Sequence, residues 1–149
     1  MFSEGLDWAR PDGVHVPDLA KSITQLDEIT YEIKELEKII EETDRYAREK
    51  YLSAFSGCSQ KFQELILDIS GNSQLIRVRK NICDQSHRYR IRSLNSPKRL
   101  EYSLKEHRDI FEAIKKKDPE KAEKLSQIHT ENVYKNILAH IEKNGDVKL

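Results

Sequence analysis

Apolar residues recur at steps of three, four or seven through the first half of the chain, which is the spacing of one face of an α-helix. The pattern opens after Pro17 and Asp18, and its members are Leu19, Leu26, Ile29, Ile33, Leu36, Ile40 and Ala47. Such a seam fits either packing inside one domain or a coiled-coil dimer stripe. The flanking positions carry ordinary bundle charges, so packing within one domain is the favoured interpretation.

Later helices are delimited by turn and capping residues. The stretch "FSGCSQ" predicts a break in the helical pattern, after which a second helix begins near Ser59. The stretch "SGNS" supplies Gly71, which can end that helix in the left-handed conformation. Asn72 or Ser73 can then cap a third helix, which runs to about Leu94. Prolines at first helical positions then predict two more starts, with Ser96 before Pro97 and Asp118 before Pro119, and the last helix ends near Asn144 and Gly145.

This pattern predicts an all-α fold, an antiparallel bundle of about five to six helices, because short connections place consecutive helices side by side. Residues 1–16 form a separate, irregular N-terminal segment in which only "GVHV" alternates like a short strand. Residues 17–149 are expected to form one helical domain.

Composition narrows the class of protein. The 149 residues hold 26 basic and 26 acidic side chains, so no basic excess indicates a nucleic-acid partner. Cys58 and Cys83 lack the number and spacing of a disulfide framework or a zinc knuckle, which predicts free thiols in a reducing compartment. No signal peptide or membrane-spanning run is evident, so we expect a cytoplasmic protein that does not enter the membrane.

Two histidines interrupt apolar helix faces. His107 follows Leu104 by three residues and precedes Phe111 by four, and His129 lies four residues from both Leu125 and Val133. Both rings should therefore face the interior, and on consecutive antiparallel helices they can meet.

Further polar residues share the inner faces of the second and third helices. Ser59 and Gln63 lie one turn apart beside Phe62, and Arg79 is flanked by apolar positions. A single histidine on an apolar face is more often a hydrogen-bonded core residue than a ligand-binding one. However, each unpaired buried polar group costs about 1–3 kcal/mol against a total stability of about 5–15 kcal/mol, so the set needs partners. These could be one another, water, a metal or a carboxylate ligand. Serine and glutamine are poor metal ligands, which favours water or an anion.

The segments "KFQELILDISGNSQL" and "RYRIRSLNSPKRLEYSLKEHRDIFEAIKKKDPEKAEKLSQIH" resemble the FCD domain, the effector-binding and dimerisation domain at the C-terminal end of many GntR-family transcriptional regulators. The resemblance lies in the order of a Ser-Gly-Asn helix end, a Ser-Pro turn, a Glu-His segment and a later histidine, over roughly the last 90 residues. It implies a helical bundle that binds a small organic acid, forms a homodimer, and changes the geometry of that dimer on DNA.

Many members of that family hold a divalent metal with an aspartate and a histidine one turn apart and two later histidines. His107 and His129 correspond to the later pair, whereas Ser59 and Gln63 occupy the first two positions. The resemblance therefore implies only half of the ligands, His107 and His129, for a metal such as zinc or nickel. Some members of the family sense their ligand without a metal.

We therefore expect a non-enzymatic sensor and dimerisation domain of a GntR-like regulator that lacks its own DNA-binding head, since too little chain precedes Pro17 to fold one. His107, His129, Gln63, Ser59 and Arg79 are the expected ligand-binding residues, with Arg79 placed to neutralise a carboxylate. The alternative is a structural oligomerisation module that binds no ligand.

Overall fold

The computed structural model describes residues 30–96 and 98–145, and this part of the chain is helical with short turns. The residues Leu19, Leu26, Ile29 and Pro97, and the predicted irregular segment 1–16 with its "GVHV", lie outside it. Five helices are described, namely α1 (Thr30–Arg48), α2 (Leu52–Ser70), α3 (Ser73–Leu94), α4 (Arg99–Lys115) and α5 (Pro119–Asn144). The predicted all-α fold is confirmed.

Most of the predicted capping residues act as expected. Gly71 ends α2 in the left-handed conformation at φ 65°, and the Asn72 side chain accepts a hydrogen bond from the Leu75 N–H at 3.1 Å to start α3. Asp118 accepts from the Lys121 N–H at 3.0 Å at the start of α5, and Gly145 ends that helix at φ 65°. These side chains satisfy backbone groups that a helix end leaves without an internal partner.

Two predicted helix starts are wrong. The second helix begins at Leu52 rather than near Ser59, because the chain turns at residues 49–51, where Lys50 takes φ 53°. Phe55 and Cys58 are buried at helical spacing, and this packing outweighs the cost of about 1 kcal/mol of a mid-helix Gly57.

The fourth helix also begins later than predicted. Ser96 is not its N-cap, because α4 starts at Arg99 and the preceding residue, Lys98, takes the left-handed conformation at φ 63°. The Ser96 carbonyl instead accepts from the Arg99 N–H at 3.1 Å, which closes a tight turn between α3 and α4.

The core is built where α1 packs against α2 and α4, while α5 packs against α4 and α3. Its main cluster contains Leu36, Ile40, Phe62, Ile66, Ile110, Phe111, Ala113, Ile114 and Ala122. Leu36 and Ile40 thus bury the described part of the N-terminal seam inside the chain's own core, as the favoured interpretation predicts. A smaller cluster contains Phe55, Leu94 and Leu104.

On α4, His107 lies between the two clusters, because it is one turn after Leu104 of the smaller cluster and one turn before Phe111 of the main one. Cys58 is a buried, free thiol as predicted, while the Cys83 side chain is outside the described set. Within the described helices, none combines the length and apolar character that crossing a bilayer requires.

Candidate functional site

His107 is one of the most enclosed polar side chains among the described residues. It is 1% exposed, and its ring lies 5.3 Å from the Phe62 ring, centroid to centroid. Neither Nδ1 nor Nε2 has a hydrogen-bond partner among the residues that the structure describes. Burial lowers the pKa of His107 well below its usual value, and the neighbouring His129, Arg99 and Arg79 lower it further against the opposing effect of Glu106. The ring is therefore neutral at physiological pH, with one N–H donor and one acceptor nitrogen.

His129 approaches this ring from α5, as the positions of the two residues on their helices predict. The two ring centroids are 4.7 Å apart with an interplanar angle of 52°, and His129 is 7% exposed. Its Nδ1 lies 2.7 Å from Oε2 of Glu106, and its Nε2 lies 3.4 Å from Nε2 of Gln63. His129 thus has a partner on each side, which distinguishes it from His107.

Glu106 is a central residue of the site that the sequence analysis did not single out. Arg99 donates two hydrogen bonds to its carboxylate, Nη1 to Oε1 and Nη2 to Oε2, each 3.1 Å long. Asn132 Nδ2 donates to Oε1 at 2.8 Å, and His129 contacts Oε2. Burial alone would raise the pKa of Glu106, but the hydrogen bonds from His129 and Arg99, together with the positive charge of Arg99, outweigh it and lower the pKa to about 2.

Arg99 is equally unexpected, because it is 8% exposed although it lies in the first turn of α4. The sequence does carry a signal for this ion pair, since Arg99 and Glu106 are seven residues apart and so share one side of the helix. Asn132 likewise follows His129 by three residues on α5. These spacings place the residues near one another but do not by themselves show that they are buried.

On the opposite side of His129, the predicted residues Gln63 and Arg79 contact each other. The Arg79 guanidinium donates from Nη2 to Oε1 of Gln63, which joins α3 to α2. Ser59 lies one turn before Gln63, and its buried Oγ has no hydrogen-bond partner within the described ranges. The structure therefore connects Arg79, Gln63 and His129 in one network, with His107 stacked beside it.

These side chains do not form a set that suits a structural or catalytic zinc ion. In residues 30–96 and 98–145, no group of three or more histidine, cysteine, aspartate or glutamate side chains converges on one point. Such sites need three or four ligands of this kind, and the two positions that the family resemblance pairs with these histidines hold the hydroxyl of Ser59 and the amide of Gln63. The donor groups instead suit hydrogen-bonding partners.

Comparison with known proteins agrees with this architecture. Residues 19–132 match the profile of the FCD domain. The chain belongs to the FCD domain family. The matched span includes every residue of the network, from Gln63 on α2 to Asn132 on α5, and it also includes Ser59 and His107.

A curated relative of this FCD domain is the uncharacterized HTH-type transcriptional regulator YdhC of Bacillus subtilis (strain 168). The two are 33% identical over 115 residues, which cover 76% of this chain and 51% of the relative. The chain thus spans about half the length of the relative that it matches.

Proposed function

We propose that this FCD domain is the effector-binding and dimerisation domain of a transcriptional regulator, and that a small carboxylate-bearing metabolite binds at the buried histidine cluster. The observation that carries the proposal is the state of His107: a fully enclosed, neutral imidazole with both ring nitrogens unpaired among the described residues. A buried polar group without a partner costs about 1–3 kcal/mol, so a ligand that pairs with it gains affinity there.

The chemistry of the surrounding groups supports a carboxylate. The His107 ring can donate a hydrogen bond from its N–H, and the Ser59 hydroxyl can donate one from its O–H. The Arg79 guanidinium carries a permanent positive charge and is connected to His129 through the Gln63 amide. A carboxylate accepts hydrogen bonds at two oxygens and is stabilised by a nearby cation. Glu106 does not repel it strongly, because its charge is balanced by Arg99.

The proposed role is regulatory and non-catalytic. The name of the Bacillus relative describes an HTH-type transcriptional regulator, and by analogy DNA contact is assigned to a helix-turn-helix domain separate from this bundle. An effector would alter the geometry of a homodimer, which requires only about 1–3 kcal/mol of differential affinity between two states.

Thermal unfolding in the presence of small carboxylic acids tests this proposal. An acid present at about one hundred times its Kd should stabilise the wild-type chain by about 2.7 kcal/mol, which raises the Tm of a domain of this size by roughly 5–10 °C. His107→Ala and His129→Ala should abolish that rise. His87→Ala serves as the control, because His87 is a partly exposed histidine of α3.

Two results would contradict the proposal. If no acid across mono-, di- and hydroxycarboxylates changes the Tm of the wild type, the carboxylate class is wrong. If an acid stabilises the wild type and both cluster variants equally, the ligand binds elsewhere.

A further inference from the structure

In the series Arg79, Gln63, His129 and Glu106, each side chain donates a hydrogen bond to the next one. An arginine has only N–H donors, so the oxygen of the Gln63 amide must face Arg79, and the donating nitrogen of that amide must face His129. The Nε2 of His129, 3.4 Å from this nitrogen, is therefore the acceptor. If Nε2 of His129 carried a proton, two N–H donors would face each other, and neither would have an acceptor there.

The other side of the ring agrees with this assignment. The Glu106 carboxylate accepts from Arg99 and Asn132, and it accepts a further hydrogen bond from Nδ1 of His129 at 2.7 Å. His129 thus carries its proton on Nδ1, and its Nε2 lone pair is used inside the protein. We call the series Arg79, Gln63, His129, Glu106 and Arg99 the relay.

We propose that the relay takes the place of a divalent metal in this chain, so that the cluster around His107 binds its ligand without one. Nε2 of His129 is the atom that would coordinate a metal if Nδ1 is held by a carboxylate, and the Gln63 amide already occupies it. The Arg79 guanidinium, held against Gln63, supplies positive charge at this position and would repel a dication. The inference deepens the proposed function and shares its site.

Glu106 acts in the relay as a positioning residue. It joins α4 to α5 through His129 and Asn132, and Arg99 fixes its carboxylate with two parallel hydrogen bonds. Such a bidentate pair fixes orientation as well as contributing energy. The ring plane and tautomer of His129 are thereby set before any ligand arrives.

Metal binding alone tests the inference, with no effector present. The untagged wild-type chain is treated with EDTA, dialysed, mixed with equimolar Zn²⁺ or Ni²⁺ and passed through a desalting column. We expect no stoichiometric metal in the protein fraction by elemental analysis and no change in Tm. Retention of about one ion per chain, lost in His129→Ala, would overturn the inference while leaving carboxylate binding in its separate assay unaffected.

A gain-of-function variant sharpens the test. Ser59→Asp with Gln63→His places a carboxylate and an imidazole one turn apart on α2, where residue 63 contacts His129, and it removes the amide from His129. We expect this double variant to retain about one zinc ion per chain and to gain thermal stability with it. Gln74→His, which adds a histidine at an exposed position of α3, is the control and should retain none. A folded double variant that gains no zinc would contradict the role assigned to Gln63.

The tautomer of His129 gives a readout that needs no variant. In ¹⁵N-labelled wild-type protein, long-range ¹H–¹⁵N correlation should show that Nδ1 of His129 carries a proton and that Nε2 carries none. A ring protonated on Nε2 would overturn the relay regardless of how the variants fold.

Discussion

Two acidic residues on α4, Glu106 and Asp109, are three positions apart but lie in different environments. Glu106 is enclosed by Arg99, His129 and Asn132, whereas Asp109 pairs at the surface with Lys105, four residues before it. An exposed pair of this kind contributes about 1 kcal/mol or less, whereas breaking a buried pair leaves a charge without its partner.

We therefore predict that Glu106→Gln costs about 3–5 kcal/mol of unfolding free energy, because Arg99 stays buried without a counter-charge. Asp109→Asn is the matched control and should cost less than about 1 kcal/mol. Urea unfolding monitored by circular dichroism measures both. Equal losses in the two variants would show that the Arg99–Glu106 pair is not a stabilising feature.

Acid should destabilise the folded chain in two separate pH windows. The folded pKa of His107 is depressed below its usual 6.5, so the unfolded chain binds a proton there first and stability falls as pH drops below about 6.5. Glu106 causes a further loss of folding stability as pH falls from 4.5 towards its folded pKa of about 2. In the first window, we expect His107→Phe to reduce the slope of the unfolding free energy against pH by up to about 1.4 kcal/mol per pH unit. Tm measured from pH 7 to 5 tests this, and identical slopes for wild type and variant would contradict it.

The inward histidines could be predicted from the sequence, but most of the network around them could not. His107 and His129 replace apolar residues at fixed helical intervals, so periodicity alone places them inside. Arg99 and Glu106 interrupt no apolar stripe, and charged side chains are usually solvated. Arg99 is buried and Glu106 is partly buried, and α5 covers the Glu106 carboxylate with His129 and Asn132. This tertiary contact leaves no local pattern.

At the scale of single helices, Gly57 and Gly71 show why one break was predicted correctly and another was not. Gly71 has φ 65° and ends α2, whereas Gly57 lies within the same helix with nothing within 4 Å of an added Cβ. A glycine in the sequence does not reveal which of these two conformations it adopts. The neighbouring apolar positions decide, because Phe55 and Cys58 continue the buried face through Gly57.

The two glycines should respond to alanine with opposite signs. Gly57→Ala is expected to stabilise the chain by about 0.5–1 kcal/mol, because alanine favours a helix interior and meets no obstacle. Gly71→Ala should destabilise it by about 1 kcal/mol or more, because alanine is strained at positive φ. Differential scanning calorimetry of both variants measures the signs, and a stabilising Gly71→Ala would contradict the assigned helix end.

At the scale of the whole molecule, the N-terminal seam decides between a ligand-binding domain and a plain oligomerisation module. Leu36 is fully buried within the chain's own core, where it packs with Ile40, Phe62 and Ile110. A coiled-coil seam would instead leave such a residue available to a second chain.

Leu36→Ala should therefore lower the free energy of unfolding by about 2–5 kcal/mol, because it opens a cavity in the core. The control is Tyr31→Ala, which removes an exposed side chain from the same helix. Analytical ultracentrifugation combined with thermal unfolding separates the two roles. Dissociation of an oligomer without loss of Tm would favour the oligomerisation module.

NMR of the imidazole nitrogens measures directly whether an acid ligand pairs with the enclosed ring of His107. As a stabilising carboxylic acid is titrated into ¹⁵N-labelled protein, we expect the His107 resonances to shift in proportion to occupancy while those of His87 stay unchanged. A ligand that saturates the protein and leaves the His107 nitrogens unmoved would contradict this pairing.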